Sequence, residues 1–116
     1  MKVELHQNES VERRGFANLQ RGRETVGGRI YLTNQRLIFV PHFLNLQREP
    51  LFLELATIKS IQKCWTKFLG VLPVWPNSLA IQVVSGDTHK FVLFSRSKWM
   101  ADISSLSGAN RQEHAM

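Results

Sequence analysis

Apolar and polar side chains alternate on both sides of Asn34-Gln35, in the stretch GGRIYLTNQRLIFV from Gly27 to Val40. Folding the two runs across that break sets Thr33 opposite Arg36, Leu32 opposite Leu37, Tyr31 opposite Ile38 and Ile30 opposite Phe39. Successive strand residues point to opposite faces, so Ile30, Leu32, Leu37 and Phe39 share one face. A slip of one residue would scramble that set, which specifies the register. Asn tolerates the positive φ of a tight turn, whereas Gln in second place is a weaker turn former than Gly. The pattern predicts a β-hairpin.

Period-two patterning marks further strands. Val11–Leu19 carries weak strand character through Val11, Phe16 and Leu19, and the polar, basic Gln20–Val26 reads as a loop before the hairpin. Gly27-Gly28 ends that loop and supplies unusual φ or a close backbone approach. Two glycines fall far short of a phosphate-loop signature. Pro41-His42 should end the pairing of its strand or confine it to an edge, and Phe43–Pro50 is a connector. Leu51, Leu53 and Leu55 alternate with Phe52 and Glu54. The spacing then becomes three at Leu55, Ile58 and Ile61, which predicts a bend before a strand over Ile61–Trp65.

Trp65–Trp75, WTKFLGVLPVW, is too apolar for an ordinary loop, yet Gly70 and Pro73 suit neither a helix nor a regular central strand over the whole stretch. Pro76-Asn77 predicts a turn. Ser78–Val84 predicts a strand with Leu79, Ile81 and Val83 inward, and His89–Phe94 the strand after the turn at Ser85–Thr88. Pairing Val83 with His89, Ile81 with Phe91 and Leu79 with Leu93 is preferred. The other register, Ile81 with Val92 and Leu79 with Phe94, sets Lys90 against Val83 on the inner face. From Ser95, a candidate N-cap, the period becomes helical. Trp99, Ile103 and Leu106 share one face beside Met100, and Gly108 marks the stop. Met1–Ser10 and Ala109–Met116 read as polar tails.

A length of 116 residues suggests one domain over the whole chain, with its core at about 11–107, and 43% apolar residues suffice for that core. The single cysteine, Cys64, excludes an internal disulfide and fits a reducing compartment. Met1–Ser10 lacks the apolar segment of a secretory signal, so the glycosylation pattern Asn8-Glu9-Ser10 reads as chance, and no window approaches the roughly 18–20 apolar residues of a membrane span. A cytoplasmic chain, at most peripheral to a membrane, is expected. A net charge of +6 and a pI near 10.1 favour anionic partners, although charge also serves solubility. The basic residues are dispersed, with no run longer than Arg13-Arg14, which argues against a disordered basic arm.

About seven short strands followed by one amphipathic helix is the order of a pleckstrin-homology-like barrel, with Trp99, Ile103 and Leu106 plugging one open end. The run Gly28-Arg29-Ile30-Tyr31-Leu32-Thr33-Asn34-Gln35-Arg36-Leu37-Ile38-Phe39 resembles the GRAM-domain signature of a glycine, an aliphatic-Tyr-Leu-Thr-Asn segment and Arg-Leu-aliphatic-Phe. Leu55-x-x-Ile58-x-x-Ile61 is similar to the family's bent strand, Gly86-Asp87 followed by Phe91 to its glycine turn, and Trp99 with Ile103 to its closing helix. The resemblance spans Val11 to Leu106 and is nearest to the short, stand-alone, bacterial-type GRAM proteins. It implies a non-enzymatic, cofactor-free module, some of whose relatives bind phosphoinositides or other membrane lipids. In related pleckstrin-homology domains, basic residues around the first two strands grip phosphates, which implies Arg21, Arg23 and Arg29 here.

Those three arginines are candidates for a phosphate grip through forked hydrogen bonds, with Lys63 and Lys67, and Lys59 near them, as additions; a solvated charged loop is the competing explanation. For Trp65–Trp75, represented by Trp65, Phe68, Leu69 and Trp75, three roles compete: barrel core, a self-association or protein-partner surface, and a membrane-inserting loop. Catalysis has little support. His6, His42, His89 and His114 show no metal-ligand spacing. Cys64 reads as a small buried hydrophobe, and the acids Glu12, Glu24, Glu49, Glu54, Asp87 and Asp102 are scattered. Nucleic-acid binding is the weakest alternative, because exposed aromatics interleaved with cations reduce to Tyr31 between Arg29 and Arg36.

Overall fold

The computed structural model describes residues 3–22, 24–42, 49–68 and 72–112, with side chains described outside 65–68, 72–77 and 110–112. The elements are β1 (Val11–Arg21), β2 (Glu24–Thr33), β3 (Arg36–Pro41), β4 (Leu51–Glu54), a 3-10 turn (Leu55–Thr57), β5 (Ile58–Phe68), β6 (Leu72–Val83), β7 (Thr88–Leu93), α1 (Arg96–Ser107) and β8 (Asn110–Gln112). One sheet holds all the strands in the order β4-β3-β2-β1-β7-β6-β5-β8. Its ladders are antiparallel except β5 with β8. The expected mainly β architecture with a C-terminal helix is present, but the sheet does not close on itself among the described residues. The 3-10 turn carries the chain between the two halves of the sheet, tied by the Leu55 N–H to the Gln35 carbonyl at 3.0 Å and the Val84 N–H to the Thr57 carbonyl at 2.8 Å. Packed against that turn, β5 and β6, α1 covers the opening.

The β2–β3 hairpin has the register its alternation predicts: Ile30 pairs with Phe39, Tyr31 with Ile38 and Leu32 with Leu37. Ile30, Leu32, Leu37 and Phe39 are buried in the core. The turn chemistry differs from expectation. Neither Asn34 nor Gln35 takes positive φ. Both side chains instead hold the segment 3–10, which crosses the hairpin turn. The Asn34 amide donates to the Asn8 carbonyl and accepts from the Ser10 N–H, both at 2.9 Å, while Gln35 Nε2 donates to the Gln7 carbonyl at 2.9 Å. The lead-in is therefore a docked strap rather than a loose tail. Ile38, on the outer face by its parity, is buried on the strap's side of the sheet.

Gly28 is required by the close approach of β3. A Cβ there would lie 2.8 Å from the Phe39 ring and 2.9 Å from Pro41 Cα, and would collide with the Val40 carbonyl. Gly15 leaves room for Trp99, whose Cζ2 would sit 3.2 Å from an added Cβ. Trp99, Met100 and Ile103 of α1 are buried, and the helix stops at Gly108 with φ 75°.

Several expectations are corrected. The loop over Gln20–Val26 is instead strand up to Arg21 and from Glu24, whose rung closes the β1–β2 hairpin beside Gly22 at φ 61°. That ladder outruns the core, so its polar end shows no apolar alternation. The bend at Leu55 is confirmed as the 3-10 turn, and β5 begins at Ile58 rather than Ile61. Within Trp65–Trp75 the described backbone belongs to β5 up to Phe68 and to β6 from Leu72, with register shifts after Cys64 and Thr66 that absorb the irregular sequence, and no turn forms at Pro76-Asn77. Between β6 and β7 the register is two residues tighter than predicted, pairing Ile81 with His89 and Leu79 with Phe91. Leu106 is 40% exposed and does not plug the sheet. The C-terminal stretch is not wholly frayed, since β8 pairs with Ser60–Gln62.

Candidate functional site

Alternation along the long β1–β2 ladder divides its side chains between core and outer face. Ala17 and Leu19 of β1 and Val26, Ile30 and Leu32 of β2 point inward. Arg14 and Phe16 therefore point outward, opposite Tyr31 and Arg29 respectively. Arg29 in turn faces Val40 of β3, and Tyr31 faces Ile38. Arg14 and Arg29 are diagonal neighbours across the ladder, a relation that sets two residues about 7–8 Å apart and their Cβ atoms somewhat closer. Among the described residues neither takes part in an ion pair.

Both arginines line an open groove of about 740 Å³ over β1, β2 and β3. The strap supplies one wall through Val3 and Leu5, Tyr31 and Ile38 form the floor, and His42 lies at one end. A second depression of about 460 Å³ continues past His42 along β1 and β7, lined by Phe16, Val92 and Phe94. The Arg29 guanidinium sits 5.5 Å from the Phe16 ring centroid, and the Phe16 and His42 ring centroids are 5.9 Å apart. No carboxylate is among the described lining residues of either depression. Two guanidinium forks on a water-accessible, acid-free surface can take the oxygens of a phosphate or carboxylate.

The strap is held by a buried ion pair. The Glu9 carboxylate accepts from Arg36 Nη2 at 2.8 Å and Nε at 2.9 Å, from Thr33 Oγ1 at 2.6 Å and from the His6 N–H at 2.7 Å. Arg36 holds the Glu9 carboxyl at about 2, well below its ordinary 4.5, with the Thr33 and His6 bonds helping against the cost of burial. Arg36 also donates to the Glu4 carbonyl and lies 5.2 Å from the Phe52 ring centroid.

Those sequence-predicted cations whose side chains are described lie in separate places. Arg29 is at the groove. Arg21 shares the inward parity of Ala17 and Leu19 and donates to the Glu49 carbonyl at 2.8 Å. It sits at the far end of the ladder from Arg29, roughly 17 Å along the strand at about 3.4 Å per residue. Arg23 lies outside the described residues. Lys63 is half-buried on β5 opposite Leu79, and Lys59 is exposed on the same strand, with β6, β7 and β1 between them and β2. The side chains of Lys67, Trp65, Phe68 and Trp75, and all of Leu69, lie outside the described residues.

Tyr31 is half-buried in the groove floor. His89 is pushed below its ordinary pKa by burial, and Cys64 is buried. No cluster of His, Cys, Asp and Glu among the described residues could hold a metal ion. Sequence reasoning missed Arg14, Phe94 and the strap. Strict alternation outward from Ala17 and Leu19 would have placed Arg14 and Phe16 on the exposed face.

Residues 1–102 match the family model of the GRAM domain. The chain belongs to the GRAM domain family. That match takes in the strap as well as the signature hairpin. No curated protein matches the chain. Among solved structures, the C-terminal domain of an unknown protein from Leishmania infantum superposes with a TM-score of 0.72 at 16% identity, covering 85% of this chain and 84% of that one. The hSac2 domain from the human phosphoinositide phosphatase Sac2 gives 0.68 at 10% identity, over 97% and 81%. The Vps36 N-terminal PH domain gives 0.66 at 19% identity, over 90% and 83%. These likenesses establish a pleckstrin-homology-like fold for this GRAM domain. No helix among its described residues is long and apolar enough to cross a membrane.

Proposed function

We propose that this GRAM domain is a non-enzymatic binding module that docks on the anionic lipid headgroups of a membrane surface through the outer face of β1, β2 and β3. The observation that carries the reading is the diagonal pair Arg14 and Arg29, exposed at an open groove with no carboxylate among its described lining residues. A headgroup phosphate bridging the two guanidinium groups receives charge-assisted hydrogen bonds from both. Each cation held near an anionic leaflet adds about 1 kcal/mol, and the net charge of +6 draws the chain toward that leaflet. A phosphoinositide phosphatase contains a domain of the same fold, which agrees with this role.

Co-sedimentation with vesicles tests it. The chain is expected to pellet with phosphatidylcholine vesicles that carry phosphatidylserine or a phosphoinositide, to stay in solution with phosphatidylcholine alone, and to be released as salt is raised. Equal partition onto neutral and anionic vesicles, or none onto either, overturns the proposal.

A further inference from the structure

Two aromatic side chains stand out of the sheet beside the arginine groove. Phe16 is 61% exposed and Phe94 is 88% exposed. They are neighbours in space for a topological reason. The rung Ala17–Leu93 joins β1 and β7, and both of its residues point into the core. Phe16 precedes that rung on one strand and Phe94 follows it on the antiparallel partner, so both fall on its outer side. Ser95 then takes the left-handed conformation, φ 56° and ψ 43°, without a side-chain capping bond. That turn carries the chain from β7 into α1 and leaves Phe94 outside. Large apolar side chains this exposed and adjacent mark a contact surface rather than ordinary surface composition.

The surroundings choose the partner. The Arg29 guanidinium lies over the Phe16 ring, and Arg14 is on the next outward position of β1. Gln20 and Lys90 continue the same face farther along the β1–β7 ladder. An apolar pair rimmed by cations complements an anionic bilayer, where rings enter the acyl boundary while guanidinium groups stay at phosphate depth. A second copy of this face would instead bring like charges together.

We infer that Phe16 and Phe94 form a wedge that enters the interfacial layer of an anionic bilayer beside Arg14 and Arg29. This rests on the docking reading above and adds an apolar anchor to it.

The test compares the full chain with the double variant Phe16→Ser/Phe94→Ser, after circular dichroism shows the same melting curve for both. The expected result has two parts. The chain raises the surface pressure of a phosphatidylserine-containing monolayer, and the variant does not. The variant also still sediments with phosphatidylserine vesicles at low salt, but its affinity falls by about tenfold or more, as loss of two partly buried rings requires. A chain that binds those vesicles yet raises no pressure, or a variant that penetrates as well as the original, overturns the wedge alone. A chain that fails to bind anionic vesicles overturns the docking reading and the wedge with it. A concentration-dependent dimer that the variant abolishes, without monolayer penetration, assigns the pair to self-association and also overturns the wedge.

Discussion

Glu9 and Arg36 meet in a two-pronged ion pair, Oε1 to Nη2 at 2.8 Å and Oε2 to Nε at 2.9 Å, with both side chains almost wholly out of water. Thr33 and Arg36 of the signature hairpin thereby serve the strap as well as the turn. Removing one partner of such a pair leaves a buried charge uncompensated. Glu9→Ala is expected to lower unfolding stability by about 3 kcal/mol, measured by urea denaturation. A loss under about 0.5 kcal/mol, the range of ordinary surface substitutions, would show that the strap is not held by this pair.

The same pair predicts an acid transition. Glu9 sits at about 2 in the folded chain against an ordinary 4.5. A depressed carboxyl contributes stability that is complete above the unfolded value and lost as pH falls through the folded one. Stability should therefore decline between about pH 4.5 and pH 2. Glu9→Gln should flatten that part of the profile while starting from a lower stability at neutral pH. Superimposable slopes for the two proteins would contradict the assignment.

Gly28 and Gly27 should respond differently to a methyl group. An alanine Cβ at Gly28 meets the Phe39 ring, Pro41 Cα and the Val40 carbonyl, none of which can yield without shifting β3. At Gly27 the nearest atom is Asn18 Oδ1 at 3.0 Å, the end of a side chain that can turn. Gly28→Ala is expected to cost about 1–3 kcal/mol and Gly27→Ala less, by thermal melting. The reverse order would refute the packing described at β2–β3.

Along α1, the plug is Trp99 with Met100 and Ile103, not Leu106. Trp99 fills the space left by Gly15, and Arg13, in an ion pair with Asp102 at 2.6 Å, lies 5.7 Å from its ring centroid. Trp99→Ala should cost about 3–5 kcal/mol, in the range of buried Trp truncations. Leu106→Ala should stay within about 0.5–1 kcal/mol because its side chain is already partly in water. Comparable losses at the two positions would show that the helix is seated differently.

What the sequence disclosed and what it hid follow from periodicity. The β2–β3 hairpin was legible because a half-buried strand alternates and a one-residue slip exposes four core side chains. The β6–β7 register was not, because a slip of two residues returns every side chain to the same face, and alternation is blind to it. The strap had no period to read. It is held by hydrogen bonds from Asn34 and Gln35 to its backbone and by one buried carboxylate, and such contacts leave no local pattern. Gln35, a poor turn residue, makes sense only with Gln7 in place. At the candidate site, Arg29 was visible through the resemblance to pleckstrin-homology domains, whose basic residues lie around the first two strands. Arg14 was hidden because β1 is weakly patterned, and Phe16 was grouped with Val11 and Leu19 as an apolar strand residue although its parity opposes that of Ala17 and Leu19.

The most direct measurement compares vesicle binding across the two faces of the β1–β2 ladder. Arg14→Ala/Arg29→Ala removes the outer pair, and Arg21→Ala removes a cation bound to the Glu49 carbonyl on the inner side. With phosphatidylserine-containing vesicles at fixed ionic strength, the outer double variant is expected to lose roughly tenfold or more in affinity, at about 1 kcal/mol per cation, while Arg21→Ala binds nearly as the original. Equal losses in the two proteins, or retention of binding by the outer variant, would contradict docking through the groove between the strap and β1.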